Sequence, residues 1–140
     1  MAKIHIFGGT GLLGSALTEL CNQLNLDYIT YSRSKSADQQ IDISDKDAFK
    51  NLTAPNIDDY VVNLAAIAQP TIVFQNKDLA YKINVIGNKN ITSWAIGRCK
   101  AFFYMSSVEV FDGSKSSWNE SDEVCPLNIY GRQKAESENF

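Results

Sequence analysis

The run Ile4-His5-Ile6-Phe7-Gly8-Gly9-Thr10-Gly11-Leu12-Leu13-Gly14 carries a short apolar strand straight into glycines spaced G-x-x-G-x-x-G and then into a helical pattern. Few local architectures satisfy that order. A strand that turns at once into a helix brings the first helical amides, unpaired and at the positive end of the helix dipole, to one point where a pyrophosphate can sit. Gly8 permits the tight turn, Gly11 lets backbone approach the phosphates, and Gly14 lets the helix lie close to the sheet. The segment reads as a dinucleotide-binding turn with Gly8, Thr10, Gly11, Leu12, Leu13 and Gly14 as its contacts. A plain strand-to-helix turn is the alternative; the preceding strand and the apolar-periodic helix that follows favour the former.

Strand-like and helix-like segments alternate along the chain, the pattern of parallel βαβ units, so the fold class is α/β with a doubly wound parallel sheet of Rossmann type. Strands are expected at about Lys3 to Phe7, Tyr28 to Tyr31, Tyr60 to Asn63 and Ala101 to Ser106. The first helix is expected from Gly11 to Leu24, with Leu13, Ala16, Leu17, Leu20 and Leu24 as an apolar stripe. Ser44 is expected to cap a short helix ending at Leu52, and a long helix is expected from Asp78 to Cys99. A polar loop spans Asp112 to Pro126, and a last helix begins near Leu127 or Asn128.

With 140 residues, 44% of them hydrophobic, the chain is sized for one domain with its own core. Thirteen Lys and Arg against sixteen Asp and Glu, with no basic run, argue against nucleic-acid or membrane-surface partners. Cys21, Cys99 and Cys125 lack metal-ligand spacing, so no metal is expected and the thiols read as reduced. Neither a signal peptide nor a membrane span is legible, and the cytoplasm is the expected compartment.

Three further segments fall into order behind the glycine turn: Asn63-Leu64-Ala65-Ala66, Met105-Ser106-Ser107, and Tyr130-Gly131-Arg132-Gln133-Lys134. Together they resemble the extended short-chain dehydrogenase/reductase family, which modifies nucleotide sugars. Ser106-Ser107-Val108-Glu109-Val110-Phe111-Asp112-Gly113, followed by Pro126 and Tyr130-Gly131, is most similar to the dTDP-4-dehydrorhamnose reductase branch. Val108-Glu109 stands where that branch usually has Asp-Tyr.

Tyr130 and Lys134 are four apart and project from one helix face. A tyrosine exchanges protons poorly near neutrality unless a positive charge favours its phenolate, and Lys134 is expected to supply that charge. Ser107, at the carboxyl end of a parallel strand, is placed to hydrogen-bond a substrate oxygen. The resemblance implies the same roles: Tyr130 as acid/base, Lys134 as its electrostatic partner and ribose ligand, Ser107 as orienting hydroxyl. A surface Tyr/Lys pair is the alternative for the two residues taken alone.

After the second strand the sequence is Tyr31-Ser32-Arg33-Ser34, without the carboxylate that would accept a ribose hydroxyl of NAD. Ser32 and Arg33 suit the extra phosphate of NADP(H), which is favoured; NAD(H) remains the other choice, with Arg33 then a solvated loop charge. Asp42 and Ile43 resemble the family's adenine contact, Asn63, Ala65 and Ala66 its passage for ribose and nicotinamide, and Asn84 its supporting asparagine. Asn63 and Asn84 have plain alternatives as a satisfied buried amide and a polar surface residue. His5 reads as a core or sheet-face histidine.

Extended members of the family carry a smaller substrate domain after the tyrosine helix, where this chain stops, so a C-terminal substrate domain is expected to lie outside it. The resemblance implies an NAD(P)-dependent reductase of a 4-keto nucleotide sugar. A nucleotide-sugar epimerase or dehydratase, for which Glu109 beside the catalytic hydroxyl is the relevant acid, and a nonenzymatic NADP-binding regulatory subunit are the alternatives. A homodimer is the partner the family suggests.

Overall fold

A computed structural model describes residues 2–140. Five strands, β1 (Ile4–Phe7), β2 (Tyr28–Ser32), β3 (Gln39–Gln40), β4 (Tyr60–Asn63) and β5 (Ala101–Tyr104), form one parallel sheet in the order β3-β2-β1-β4-β5. The chain leaves β1 toward one edge and returns from β3 to the other side of β1. That reversal puts the topological switch point between β1 and β4, at whose carboxyl ends ligands of such sheets bind.

Strand register sorts the side chains. His5 and Phe7 share a face with Tyr31 and Val61, and Ile6 shares the opposite face with Thr30. The first face meets helix α4 (Asn88–Ala95) and a 3-10 turn at Lys46–Asn51, closing a core of Phe7, Tyr31, Phe49, Val61, Ile91 and Trp94. Phe7 stacks on Tyr31 with ring centroids 4.4 Å apart, and Trp94 meets both rings edge-on. His5 is a buried sheet-face residue there: its Nδ1 lies 2.8 Å from the Tyr31 hydroxyl and its Nε2 3.2 Å from an Asp59 carboxylate oxygen. Burial pulls the imidazole's pKa down against the pull of Asp59. Burial also works to raise the Asp59 carboxyl, yet the amides of Asn56 and Lys3, together with His5, outweigh it and hold the group below its ordinary value.

Helix α1 (Leu12–Gln23) packs differently from its apolar pattern. Gly14 and Cys21 are its buried residues, while Leu13, Leu20 and Leu24 of the expected stripe are about half exposed. The cause is Gly14: a methyl group there would sit 2.2 Å from the Gly8 carbonyl oxygen, so the helix rests on the glycine turn along its smallest side chains. Asn25, with φ 52°, closes the helix in the left-handed region.

Three further expectations are corrected. Asp45, not Ser44, caps the 3-10 turn, accepting from the Asp47 amide, because Ser44 is engaged by Asp42. Gln39–Gln40 adds a short parallel strand against Tyr31–Ser32, drawn in by the chain reversal at Asp38, whose carboxylate binds the Thr30 amide and hydroxyl. The long helix expected from Asp78 to Cys99 runs on through α3 (Lys77–Tyr81), a wider π-helical turn at Lys82–Gly87 and α4, but it ends at Ala95 and a separate helix, α2 (Pro70–Gln75), precedes it. The last helix, α5 (Ile129–Ser137), starts where the sequence places it, with Asn128 as its cap. Among the described residues no helix is long and apolar enough to cross a membrane.

Replacing Asp59 by Asn should destabilise the chain by about 3 kcal/mol, since it leaves His5 and the Lys3 and Asn56 amides facing a poorer acceptor. Urea denaturation measures it, and an unchanged midpoint would show that the buried His5–Asp59 pair carries no such weight.

Candidate active site

A cleft of about 330 Å³ opens at the switch point. Its floor is the glycine turn, where Gly8 adopts φ +81° and a methyl group would strike the backbone of Leu64 and Ala65. Beta-carbons at Gly8 and Gly14 would thus fill the turn from both sides. No side chain caps the start of α1 at Gly11, so the Leu12 and Leu13 amides have no side-chain partner, while the two leucine side chains point away into solvent. Thr10 and Gly11 form one wall, with the Thr10 hydroxyl donating to Ser32 Oγ at 3.0 Å.

Ser32, Arg33 and Ser34 line the cleft beside this wall. Arg33 is the one charged residue in the lining, and none is acidic. Asp38 faces the other side of the glycine turn, held by Thr30, and so leaves this part to the arginine. Ile43 is buried in the wall, where Gly87 makes room for it, while Asp42 stands outside the lining with one oxygen taken by Ser44. Its carboxyl lies below the ordinary value, mainly through the Ser44 hydroxyl, with Arg33 adding a smaller pull.

Ala65 and Ala66 line the cleft after β4. Asn63 and Asn84 do not; both are buried behind the wall. Asn63 Oδ1 accepts from the Ala65 amide and its Nδ2 donates to Asn88 Oδ1 at 2.8 Å. Asn84, in the π-helical turn, accepts from the Ile67 amide and donates to the Ile67 carbonyl and to Gln133 Oε1. It is therefore a bridge between the cleft loop and α5 rather than a surface amide. Ile41, Leu64, Ile67 and Ile83 complete the wall and are absent from the sequence-based expectation. Ile41, Leu64 and Ile67 have only position as a signal, within four residues of a strand end, and Ile83, inside the π-helical turn, has none.

Ile67 belongs both to this wall and to the cluster of Val73, Ala80, Ile129 and Tyr130, which links the cleft to the packing around Tyr130. Ser107 caps a single 3-10 turn (Val108–Val110), its Oγ accepting from the Glu109 amide. That turn packs on α5, bringing Ser107, Tyr130 and Lys134 together as expected of neighbours in one site. Lys134 Nζ lies 5.7 Å from the Tyr130 ring centre and 4.7 Å from that of Tyr104, and it donates to the Met105 carbonyl at 2.7 Å.

The electrostatics depart from expectation here. Burial, then the Glu109 charge, raise the Tyr130 phenol above its ordinary value, with the Ser107 hydroxyl pulling the other way. Lys134 is not among the groups that move it, and burial brings the lysine itself down to about 8. Burial likewise pushes Tyr104 up to about 12. Phe111 and Trp118 stack on one another, 4.4 Å between centroids, as packing residues of the polar loop. Among the described residues no group of His, Cys, Asp and Glu is arranged to hold a metal.

The family model described as the RmlD substrate binding domain matches residues 2–140. Over 138 residues the chain is 30% identical to the methionine adenosyltransferase 2 subunit beta of Rattus norvegicus, covering 97% of this chain and 41% of that protein. It superposes on the crystal structure of a dTDP-4-dehydrorhamnose reductase from Clostridium acetobutylicum with a TM-score of 0.82 at 34% identity, covering 98% of this chain and 48% of that one. A dTDP-4-dehydrorhamnose reductase of Bacillus anthracis in complex with NADP gives a TM-score of 0.83 at 27% identity, covering 99% of this chain and 49% of the other. The chain thus spans less than half the length of each of these proteins. With a match over every described residue and a parallel sheet in the same Rossmann-like arrangement, the chain belongs to the RmlD substrate binding domain family.

Proposed function

We propose that these residues form the dinucleotide-binding part of an NADP(H)-dependent reductase of a 4-keto nucleotide sugar. The observation that carries this reading is the charge of the cleft: its lining holds a glycine turn with uncapped helix amides and the Arg33 guanidinium, and no carboxylate. Such a wall suits a dinucleotide with an additional phosphate and repels nothing along its length. When bound, the nicotinamide would supply hydride to the carbonyl carbon. Tyr130 would donate its hydroxyl proton to the carbonyl oxygen, Ser107 would orient that oxygen, and Lys134 would meet the ribose. The similarity to two dTDP-4-dehydrorhamnose reductases, one of them with NADP, supports the reading.

A second reading, a cofactor-binding regulatory subunit, is favoured by one observation, the 30% identity to a protein named as a subunit beta of methionine adenosyltransferase. Substituting Tyr130 by Phe in the full-length protein separates the two. The enzyme loses turnover by about a hundredfold or more with cofactor affinity nearly unchanged; a regulator keeps its function.

Fluorescence titration of the chain should show tighter binding of NADPH than of NADH, with Arg33→Ala abolishing the preference at a loss of about tenfold in NADPH affinity. Equal affinities in the parent chain would remove Arg33 from the cofactor site.

Lys134 generates a further expectation. Its folded value of about 8 lies below the ordinary 10.5, so in that window the unfolded chain binds more protons and stability rises with pH. Urea denaturation at stepped pH should show this rise in the parent chain and not in Lys134→Met; equal slopes would place the lysine's amine in water.

A further inference from the structure

Glu109 touches three parts of the candidate site at once. Its amide donates to Ser107 Oγ at 3.2 Å. Its carboxylate accepts from Asn128 Nδ2, and Asn128 Oδ1 in turn accepts from the Gly131 amide at 2.7 Å, capping the helix that carries Tyr130. Its carbonyl lies so close to the first turn of α5 that a methyl group on Gly131 would sit 2.0 Å from the carbonyl oxygen. A carboxylate only accepts, so it obliges the Asn128 amide to present nitrogen to Glu109 and oxygen to the helix. A half-buried acid in such a place is not explained by dinucleotide binding.

We propose that Glu109 is a positioning residue for Tyr130: bonded to Asn128 by its carboxylate and to Ser107 by its amide, it fixes the start of the tyrosine helix beside the Ser107 hydroxyl. The proposal rests on the reading of Tyr130 as proton donor. A neighbouring anion disfavours the phenolate, so besides seating the helix Glu109 holds Tyr130 in its protonated form.

The other groups around Tyr130 do not duplicate the effect. From α5, Lys134 carries the opposite charge and is tied to the Met105 carbonyl. From β5, Tyr104 is a neutral phenol, and from the turn before Glu109 the Ser107 hydroxyl favours the phenolate. From α2 and α3 the packed residues are Val73 and Ala80, both apolar. Glu138 acts on Lys134 and Tyr104 and not on Tyr130.

Ultraviolet titration of tyrosine in the chain, with Tyr130→Phe subtracted to isolate one phenol, tests the charge. Glu109→Gln keeps an acceptor for Asn128 and removes the charge, so Tyr130 should ionise lower by about half a pH unit or more. An unmoved titration overturns this half of the proposal. Hydrogen exchange at the Gly131 amide tests the other half: it should stay slow in Glu109→Gln and quicken at least tenfold in Glu109→Ala, and unchanged protection in the alanine variant overturns it. Should Glu109→Ala fail to fold, Asn128→Ala is read in its place by the same exchange. Neither measurement involves cofactor or turnover, so failure of the reductase reading would appear in the NADPH titration and not here.

Discussion

A chain of buried amides joins the two halves of the site. The Ala65 amide donates to Asn63, Asn63 to Asn88, Asn88 to the Ser137 carbonyl, and the Ser137 hydroxyl to the Asn84 carbonyl. The Asn84 side chain then holds Ile67 on one side and Gln133 on the other. Each link is worth only about 1 kcal/mol net, yet an orphaned member costs about 1–3 kcal/mol, so the links are tolerated only together. That condition fixes where α5 lies against the loop after β4. Tyr130 and Lys134 inherit their place from it, since their own helix contributes Gln133 and Ser137 to the network.

The π-helical turn is the local device that makes the network possible. Widening the helix at Lys82–Gly87 buries Ile83, Asn84, Val85 and Gly87 together, more consecutive positions than a regular helix turns inward. Asn84 can then face the cleft loop and α5 at once, and Gly87 yields the space that Ile43 occupies on the cleft side. One irregular turn so serves both the wall of the cleft and the seat of the tyrosine helix.

Burial acts on Tyr130 and Lys134 in opposite senses, and both shifts favour the neutral form. At about 8 the lysine still holds its proton near neutrality, and it directs its ammonium at the Met105 carbonyl. An added negative charge near Lys134, such as a phosphate-bearing ligand brings, would restore its affinity for the proton. Near neutrality both groups therefore keep their protons, the lysine as a cation and the tyrosine as a neutral phenol.

What the sequence makes legible follows the range of the interaction. The glycine turn and four of the strands are encoded within a few residues and are legible from local pattern, whereas spacing places Tyr130 and Lys134 only on one helix face, and their reading as a site needs the motifs upstream. The α1 stripe misled because leucines report an apolar face only when the helix is free to choose its orientation, and Gly14 removes that freedom by contact with Gly8. Asn84 was ambiguous for a different reason. Whether a lone asparagine in a helix is solvated or buried depends on its partners, and these are Ile67 and Gln133, seventeen positions before it and forty-nine after. Nothing local distinguishes the two cases. The same holds for Ile67, which belongs both to the cleft wall and to the cluster around Tyr130: its role exists only once β4, the π turn and α5 have met. A site assembled from such contacts is written in the sequence as residue types, and becomes geometry only when the sheet has brought its strand ends together.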